Sequence, residues 1–172
     1  MIIANLAPRY SAPDATAHPW EEARQALAEA ELYWFATVKP NGQPHVTPLI
    51  AVWARGALHI CTGPEERKAR NLEDNPRCTV TTGSNKEQEG VDVVLEGSVA
   101  RVDDHELLQA LSDAWVKKYG ERWRFGVADG SFVGEGGNVA HVFRVEPSVA
   151  FAFVKDSSGG QTRYTFADDV DD

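Results

Sequence analysis

The chain has 172 residues, of which 42% are hydrophobic and 25% are charged, so it can bury one core and has an ordinary globular composition. Its formal net charge of −9 argues against a general nucleic-acid binder, which presents a basic surface. No segment approaches the roughly 18 apolar residues of a membrane span. The N-terminus also lacks the cationic start and apolar run of a signal peptide, and we therefore expect a cytoplasmic protein.

The two cysteines and five histidines do not have the spacing of a ligand site. Cys61 and Cys78 form no C-x-x-C pair, and without an export signal both are expected to be reduced thiols. The histidines show no H-x-x-x-H pattern. We predict no metal site and assign no catalytic side chain.

The ends of the chain differ in composition from its middle. Residues 1–17, rich in Ala, Pro, Asp and Ser, are predicted to form an arm without regular structure. Residues 18–167 are expected to form one domain, followed by a solvated acidic tail at 168–172. An amphipathic helix is predicted to begin at Pro19, with apolar residues at helical spacing.

The rest of the chain is predicted to be mostly strand. Asn41-Gly42 favours a tight hairpin turn in which both residues have positive φ, and Gly97 marks a bulge or bend. The expected strands span residues 32–39, 43–53, 57–62, 78–82, 91–102, 139–145, 149–154 and 161–166.

Two further helices and one loop complete the prediction. One helix is expected at 65–74, and another follows Asp103, which forms a capping-box pattern with Glu106. The glycine-rich segment 121–137 is expected to be a mobile loop. Many short antiparallel strands with few helices indicate a closed or nearly closed barrel.

The segment after the third strand has the residues that a phosphate site requires. A hydroxyl, a turn at a helix start and cations occur in the order Thr62, Gly63, Arg67, Lys68 and Arg70. Such groups bind and neutralise a phosphate. The alternative is a solvated helix stabilised by the i,i+4 pairs Glu66–Arg70 and Arg70–Asp74, and the spacing alone leaves both interpretations open.

The second candidate segment consists of His45, Val46, Thr47, Pro48 and Leu49. Pro48 has no N–H for a strand ladder, so we expect irregular pairing that leaves backbone groups free to contact a heterocycle. The alternative is an edge strand whose proline keeps other strands away.

Together these residues resemble the FMN-binding split-barrel superfamily, the proteins similar to pyridoxamine 5'-phosphate oxidase, from about Trp20 to Pro147. The resemblance is carried by FATVKPNGQPHVTPLIAVW, LHICTG and ERKARNLEDNP. In that family a strand ending in Thr is followed five and six residues later by an Arg-Lys pair that binds the cofactor phosphate. Thr62, Arg67 and Lys68 stand at these intervals. The resemblance implies a mainly β (α+β) fold, an antiparallel split β-barrel of six to eight strands with a few flanking helices.

The resemblance also implies a homodimer with two cofactor sites at its interface, each contacted by both chains. Asp92 stands where the oxidase has a cofactor-contacting Gln. The run Lys68-x-Arg70-Asn71-Leu72 is similar to the branch that uses coenzyme F-420, a deazaflavin, so FMN and F-420 both remain candidates. The implied cofactor-binding residues are His45, Val46, Thr47, Pro48, Leu49, Cys61, Thr62, Gly63, Arg67, Lys68, Arg70, Asn71 and Asp92.

We therefore expect an oxidoreductase that transfers hydride between the bound cofactor and a small conjugated acceptor. Trp123 and Phe125 are expected on the substrate side. Arg163, in Thr162-Arg163-Tyr164, stands near the C-terminus, where the basic substrate motif of true pyridoxamine phosphate oxidases is not visible. The alternatives are a non-catalytic flavin or haem carrier or sensor and, third, a pyridoxamine 5'-phosphate oxidase.

Overall fold

The described residues form one antiparallel sheet of 11 strands with three α-helices outside it. A computed structural model describes residues 1–156 and 159–166; the predicted acidic tail at 168–172 lies outside this range. The strands are β1 (Ile2–Leu6), β2 (Tyr33–Val38), β3 (Pro44–Leu49), β4 (Ala51–Ala54), β5 (Ala57–Thr62), β6 (Arg77–Thr82), β7 (Val91–Val102), β8 (Gly126–Ala128), β9 (Ser131–Val133), β10 (Val139–Val154) and β11 (Gln161–Phe166). The helices are α1 (Trp20–Glu29), α2 (Arg67–Asp74) and α3 (His105–Tyr119), with short 3-10 helices at Pro8–Tyr10 and Glu121–Trp123.

The long strand β10 organises the sheet. Its first half pairs with β5 and β9, its second half pairs with β11, and β7 follows it along most of its length. The main path runs β1-β11-β10-β7-β6-β2-β3, and β4 joins through β5. The path ends at β1 and β3 without closing, which confirms the predicted split-barrel class, although with more strands than expected.

A bulge in β10 explains the glycine predicted to mark a bend. The register between β7 and β10 shifts between Pro147 and Val149, opposite Gly97. A Cβ on Gly97 would lie 2.0 Å from the Glu146 carbonyl oxygen, so only glycine permits this backbone approach. The two strands predicted around Pro147 are therefore one bulged strand.

Apolar side chains form two core clusters. The first core cluster lies between the curved sheet and α1, and it includes Leu27, Tyr33, Phe35, Leu58, Ile60, Val80, Val93, Leu95, Val145 and Tyr164. The second core cluster lies beneath α3, and its buried members are Val52, Val102, Leu108, Leu111, Trp115, Phe132 and Val142. The two clusters pack on opposite faces of β5 and β10, which fixes the end of β5 between them.

The predicted N-terminal arm is wrong for Ile2–Leu6. This segment pairs with β11 from Ile2 opposite Phe166 to Leu6 opposite Thr162. Its apolar residues extend the sheet by one strand, whereas the expectation followed the Ala, Pro, Asp and Ser content of residues 1–17 as a whole.

Turn geometry also differs from the prediction. Only Gly42 has positive φ in the first hairpin; its N–H donates to the Lys39 carbonyl at 2.8 Å, and the Lys39 N–H donates to Gln43 at 2.9 Å. This is a three-residue loop with glycine in the bulge position. The two-residue turn with two positive φ values occurs instead at Arg55-Gly56, between β4 and β5.

Two other local predictions are corrected by the structure. Helix α3 is capped by Asp104, whose carboxylate accepts from the Leu107 N–H at 2.7 Å, so the capping box from Asp103 does not form. The predicted loop at 121–137 contains the β8–β9 hairpin.

In the described part of the chain, no helix is long and apolar enough to cross a membrane.

Candidate functional site

The end of β5 and the start of α2 form a small notch, defined by Thr62, Gly63, Glu66 and Lys68. Thr62 is the buried last residue of β5, and Glu66 is the extended N-cap residue of α2. The Gly63 N–H donates to Glu66 Oε1 at 2.9 Å, and the Lys68 ammonium forms an ion pair with Glu66 Oε2. A carboxylate therefore occupies the position between the free backbone N–H and the cation.

The charges in the notch stabilise an anion. Lys68 is only 9% exposed, and a lysine this buried is almost always paired. Burial alone would raise the pKa of Glu66, but hydrogen bonds from Lys68, the Gly63 N–H and Thr62 outweigh it and lower that pKa. The local sequence, a strand-ending threonine, a Gly-Pro turn and a helix start, thus builds an anion site.

The predicted cations do not all lie in the notch. Arg67 is exposed, and the Arg70 guanidinium is exposed and pairs with Glu65. Among the described residues Glu66 pairs with Lys68 and Arg70 pairs with Glu65, so the Glu66–Arg70 ion pair of the solvated-helix alternative does not form. Lys68 is the predicted cation that the fold buries.

Helix α2 packs against one end of the first hairpin. Asn71 is buried, and its Nδ2 donates to Thr37 Oγ1 at 2.9 Å, while Thr37 lies directly opposite His45. Within the described residues, Asn71 Oδ1 and Thr47 Oγ1 are buried without a hydrogen-bond partner. Buried polar atoms are normally satisfied, so the region between α2 and β3 has capacity for a polar ligand group.

Strand β3 is an edge strand with regular pairing. Its register with β2 runs from Leu49 opposite Tyr33 to Pro44 opposite Val38 without a shift, so the expected irregularity at Pro48 is wrong. Because Lys39 and Gln43 are hydrogen-bonded, antiparallel alternation points the backbone groups of Pro44, Val46 and Pro48 toward the open edge. Pro44 and Pro48 have no N–H, so Val46 alone of these three residues presents a backbone N–H at this edge.

Open space lies next to the notch. A groove of about 590 Å³ separates the β5–α2 turn from the start of β10, and it is lined by Gly63, Pro64, Glu65, Glu66, Asn138, Val139 and Ala140.

Cys61 lies behind the notch, and burial raises its pKa to about 12, so it is a protonated thiol. A nucleophilic role for Cys61 is therefore unsupported.

The structure does not bring Asp92 to the notch of the same chain. Asp92 lies near the start of β7, where its Oδ1 accepts from the Lys155 ammonium at 2.8 Å. It lines a separate hollow of about 330 Å³ that also includes Trp34, Thr81 and Phe153. This hollow adjoins the Pro48 end of the hairpin, because Trp34 lies opposite Pro48.

The three residues expected on the substrate side also lie elsewhere. Phe125 stacks on Phe132 with ring centroids 4.6 Å apart, and Trp123 packs against Phe125, so both belong to the second core cluster. Arg163 is exposed on β11 and donates to Thr165.

Sequence reasoning missed Glu66. Its position three residues after Gly63 is the available signal, since a carboxylate at that spacing can accept the free N–H of the turn. Within the described ranges, no group of three or more His, Cys, Asp or Glu residues is arranged to hold a metal ion.

Comparison with known proteins gives one family and several structures. The sequence profile described as pyridoxamine 5'-phosphate oxidase matches residues 19–158. No curated protein matches the chain.

Three solved structures illustrate the structural similarity. A conserved hypothetical protein from Mycobacterium tuberculosis is 20% identical, with a TM-score of 0.63 over 81% of this chain and 86% of that one. A NimC/NimA family protein from Clostridium acetobutylicum is 18% identical, with a TM-score of 0.60 over 83% and 91%. A heme-binding protein from Mycobacterium smegmatis is 18% identical, with a TM-score of 0.66 over 85% and 59%. Identities this low show a shared fold.

Proposed function

The chain belongs to the pyridoxamine 5'-phosphate oxidase family, and from that premise we propose that it is a flavin- or deazaflavin-dependent oxidoreductase. The cofactor is FMN or coenzyme F-420, each of which carries a phosphate. It exchanges a hydride with a small conjugated acceptor. The protein works in the cytoplasm, where free thiols such as Cys61 and Cys78 stay reduced.

The observation that carries the proposal is the anion already held in the notch. The Gly63 N–H and the Lys68 ammonium both contact the Glu66 carboxylate, and a phosphate oxygen offers the same donors an equivalent acceptor. Thr62 adds a hydroxyl at the same place. Lys68, Gly63 and Thr62 would hold the phosphate, and the exposed side chains of Arg67 and Arg70 would supplement them from the solvent side.

The neighbouring elements suit the ring system of such a cofactor. The open edge from His45 to Leu49 presents the Val46 N–H and backbone carbonyls, and Asn71 Oδ1 and Thr47 Oγ1 are buried without described partners. When bound, the cofactor supplies hydride chemistry. The chain's own residues then bind, orient and exclude water, and we assign none of them an acid or base role.

A second copy of the chain completes the proposal. The outer face of the sheet carries large exposed apolar side chains, with Trp34 48% exposed and Val46 53% exposed. Asp92 and Arg163, which lie away from the notch of their own chain, belong to strands of this sheet. We propose a homodimer whose cofactor sites lie at the interface, so that the partner's surface contributes to each site.

A non-catalytic carrier or sensor of flavin or haem is the second candidate. It is favoured by the fold shared with a heme-binding protein from Mycobacterium smegmatis. Reduction of the bound cofactor by NAD(P)H or an F-420-reducing partner, followed by reoxidation by a defined acceptor, supports the enzyme. A bound chromophore that undergoes neither step supports the carrier.

The direct test is a titration of the full chain with FMN and with F-420, compared with the variant Lys68→Ala. A charged hydrogen bond is worth about 1.5–3 kcal/mol, so we expect this variant to bind roughly 10- to 100-fold more weakly. Lys117→Ala, which removes an exposed lysine from α3, is the matched control and should bind normally. Undiminished affinity of the Lys68→Ala variant for both cofactors would refute the proposed phosphate site.

A further inference from the structure

Glu66 makes contacts that a bound phosphate would need. Its two carboxylate oxygens are divided between the Gly63 N–H and the Lys68 ammonium, and an added Cβ on Gly63 would lie 3.3 Å from Oε1. The carboxylate therefore lies directly over the turn. A phosphate and the Glu66 carboxylate cannot both take these donors in the observed arrangement.

The side chain of Glu66 is placed so that it can leave the notch. It is 52% exposed, and it belongs to an N-cap residue whose backbone is extended. Rotation about its side-chain bonds would move the carboxylate into solvent without unwinding α2. Lys68 is held differently, since it is nine-tenths buried, and the cation remains in the notch when the carboxylate leaves.

We propose that Glu66 is an intramolecular competitor of the cofactor phosphate, so that binding requires displacement of its carboxylate and the cofactor is exchangeable. This inference rests on the proposed function. The phosphate monoester of FMN carries a charge of about −1.5 to −2 at pH 7, and it can therefore replace a single carboxylate. The competition lowers the affinity of the notch for the cofactor phosphate, because the contacts of Glu66 with Gly63 and Lys68 must be given up first.

The competing carboxylate also stabilises the protein when no phosphate is bound. Without Glu66 the buried Lys68 ammonium would have no described carboxylate partner, and an unpaired buried charge destabilises the fold. The chain therefore remains folded in both states, with one anion exchanged for another.

The test uses Glu66→Gln, which keeps an acceptor for the Gly63 N–H and removes the charge. Calorimetric titration with FMN should show about tenfold tighter binding than the wild type, and inorganic phosphate should bind more tightly as well. Riboflavin, which lacks the phosphate, should bind equally to both proteins. Glu21→Gln is the matched control, because Glu21 pairs with Arg24 on α1, away from β5 and α2, and it should leave FMN affinity unchanged.

A second variant and a stability measurement protect the test against misfolding. Glu66→Asp keeps the charge on a shorter side chain and should give an intermediate FMN affinity. The Glu66→Gln variant should melt at a lower temperature without ligand, and saturating FMN should raise its Tm more than that of the wild type. These shifts do not depend on turnover.

The outcomes separate this inference from the proposed function. If Glu66→Gln binds FMN no more tightly while Lys68→Ala binds it more weakly, the notch holds phosphate but Glu66 is not a competitor. If neither variant changes FMN or F-420 affinity, the proposed phosphate site itself is wrong. An equal gain for riboflavin and FMN in Glu66→Gln would also overturn the competition.

Discussion

The buried histidine on β5 should make the protein sensitive to mild acid. His59 is almost fully buried, and it lies opposite Val52 of the second core cluster. Its Nδ1 is 3.2 Å from the Ala57 carbonyl oxygen, while Nε2 has no described partner. The pKa of His59 is lowered from 6.5 to about 4, chiefly by burial; the Ala57 hydrogen bond opposes this shift, and the charge of Arg144 adds to it.

The size and sign of the effect follow from linkage. The unfolded chain takes up a proton at His59 near pH 6.5, whereas the folded chain does so only near pH 4. The contribution of neutral His59 to stability is therefore fully present above pH 6.5 and is lost as the pH falls toward 4. Since a tenfold change in proton affinity corresponds to about 1.4 kcal/mol, the free energy of unfolding should decrease by about 3 kcal/mol over this range because of His59.

Urea denaturation of wild type and His59→Asn at several pH values between 7 and 4 measures this effect. Asparagine can keep the hydrogen bond to Ala57 and does not titrate, so its packing defect is the same at every pH. The difference in unfolding free energy between the two proteins should shrink by about 3 kcal/mol as the pH falls. A difference that stays constant would show that His59 is not buried as a neutral side chain.

Three further changes test other parts of the structure. Gly97→Ala should destabilise the fold by about 1–3 kcal/mol or more, measured by urea denaturation, because the new methyl meets backbone atoms of Glu146; an unchanged midpoint would contradict the close approach. Asp104→Ala should cost about 1 kcal/mol by loss of the α3 cap, and Asp103→Ala should cost less in the same assay. Burial lowers the pKa of Lys118 from 10.5 to about 8, so the unfolded chain binds a proton between these pH values that the folded chain does not. The free energy of unfolding of the wild type, measured by urea denaturation, should therefore increase as the pH is raised from 8 to 10.5, and Lys118→Met should lack that increase.

The parts of the fold that local chemistry determines could be predicted from the sequence. Strand Ala57–Thr62 has its predicted bounds because a Gly turn precedes it and Gly-Pro follows it. The bend at Gly97 was also predicted, since glycine inside a long apolar strand has few other uses. The type of turn in the first hairpin could not be predicted, because Asn41-Gly42 is compatible with loops of two or three residues.

The candidate site shows the same division. The proximity of Thr62, Gly63 and Lys68 follows from seven consecutive residues and needs no long-range information. The remote position of Asp92 depends on the order of strands in the sheet, which the sequence pattern does not specify. The rotation of α2 about its axis decides which of Arg67, Lys68 and Arg70 is buried. The hydrogen bond from Asn71 to Thr37 holds α2 against β2 in the observed rotation.

The two prolines on the open edge of β3 have a consequence for self-association. A strand added to this edge needs donors at alternate residues, and Pro44 and Pro48 withhold two of them while Val46 offers one. Extension of the sheet into fibres at this border is therefore disfavoured. A small molecule that accepts a single hydrogen bond from the Val46 N–H can still bind at this edge. The edge therefore disfavours an added strand but not a ligand.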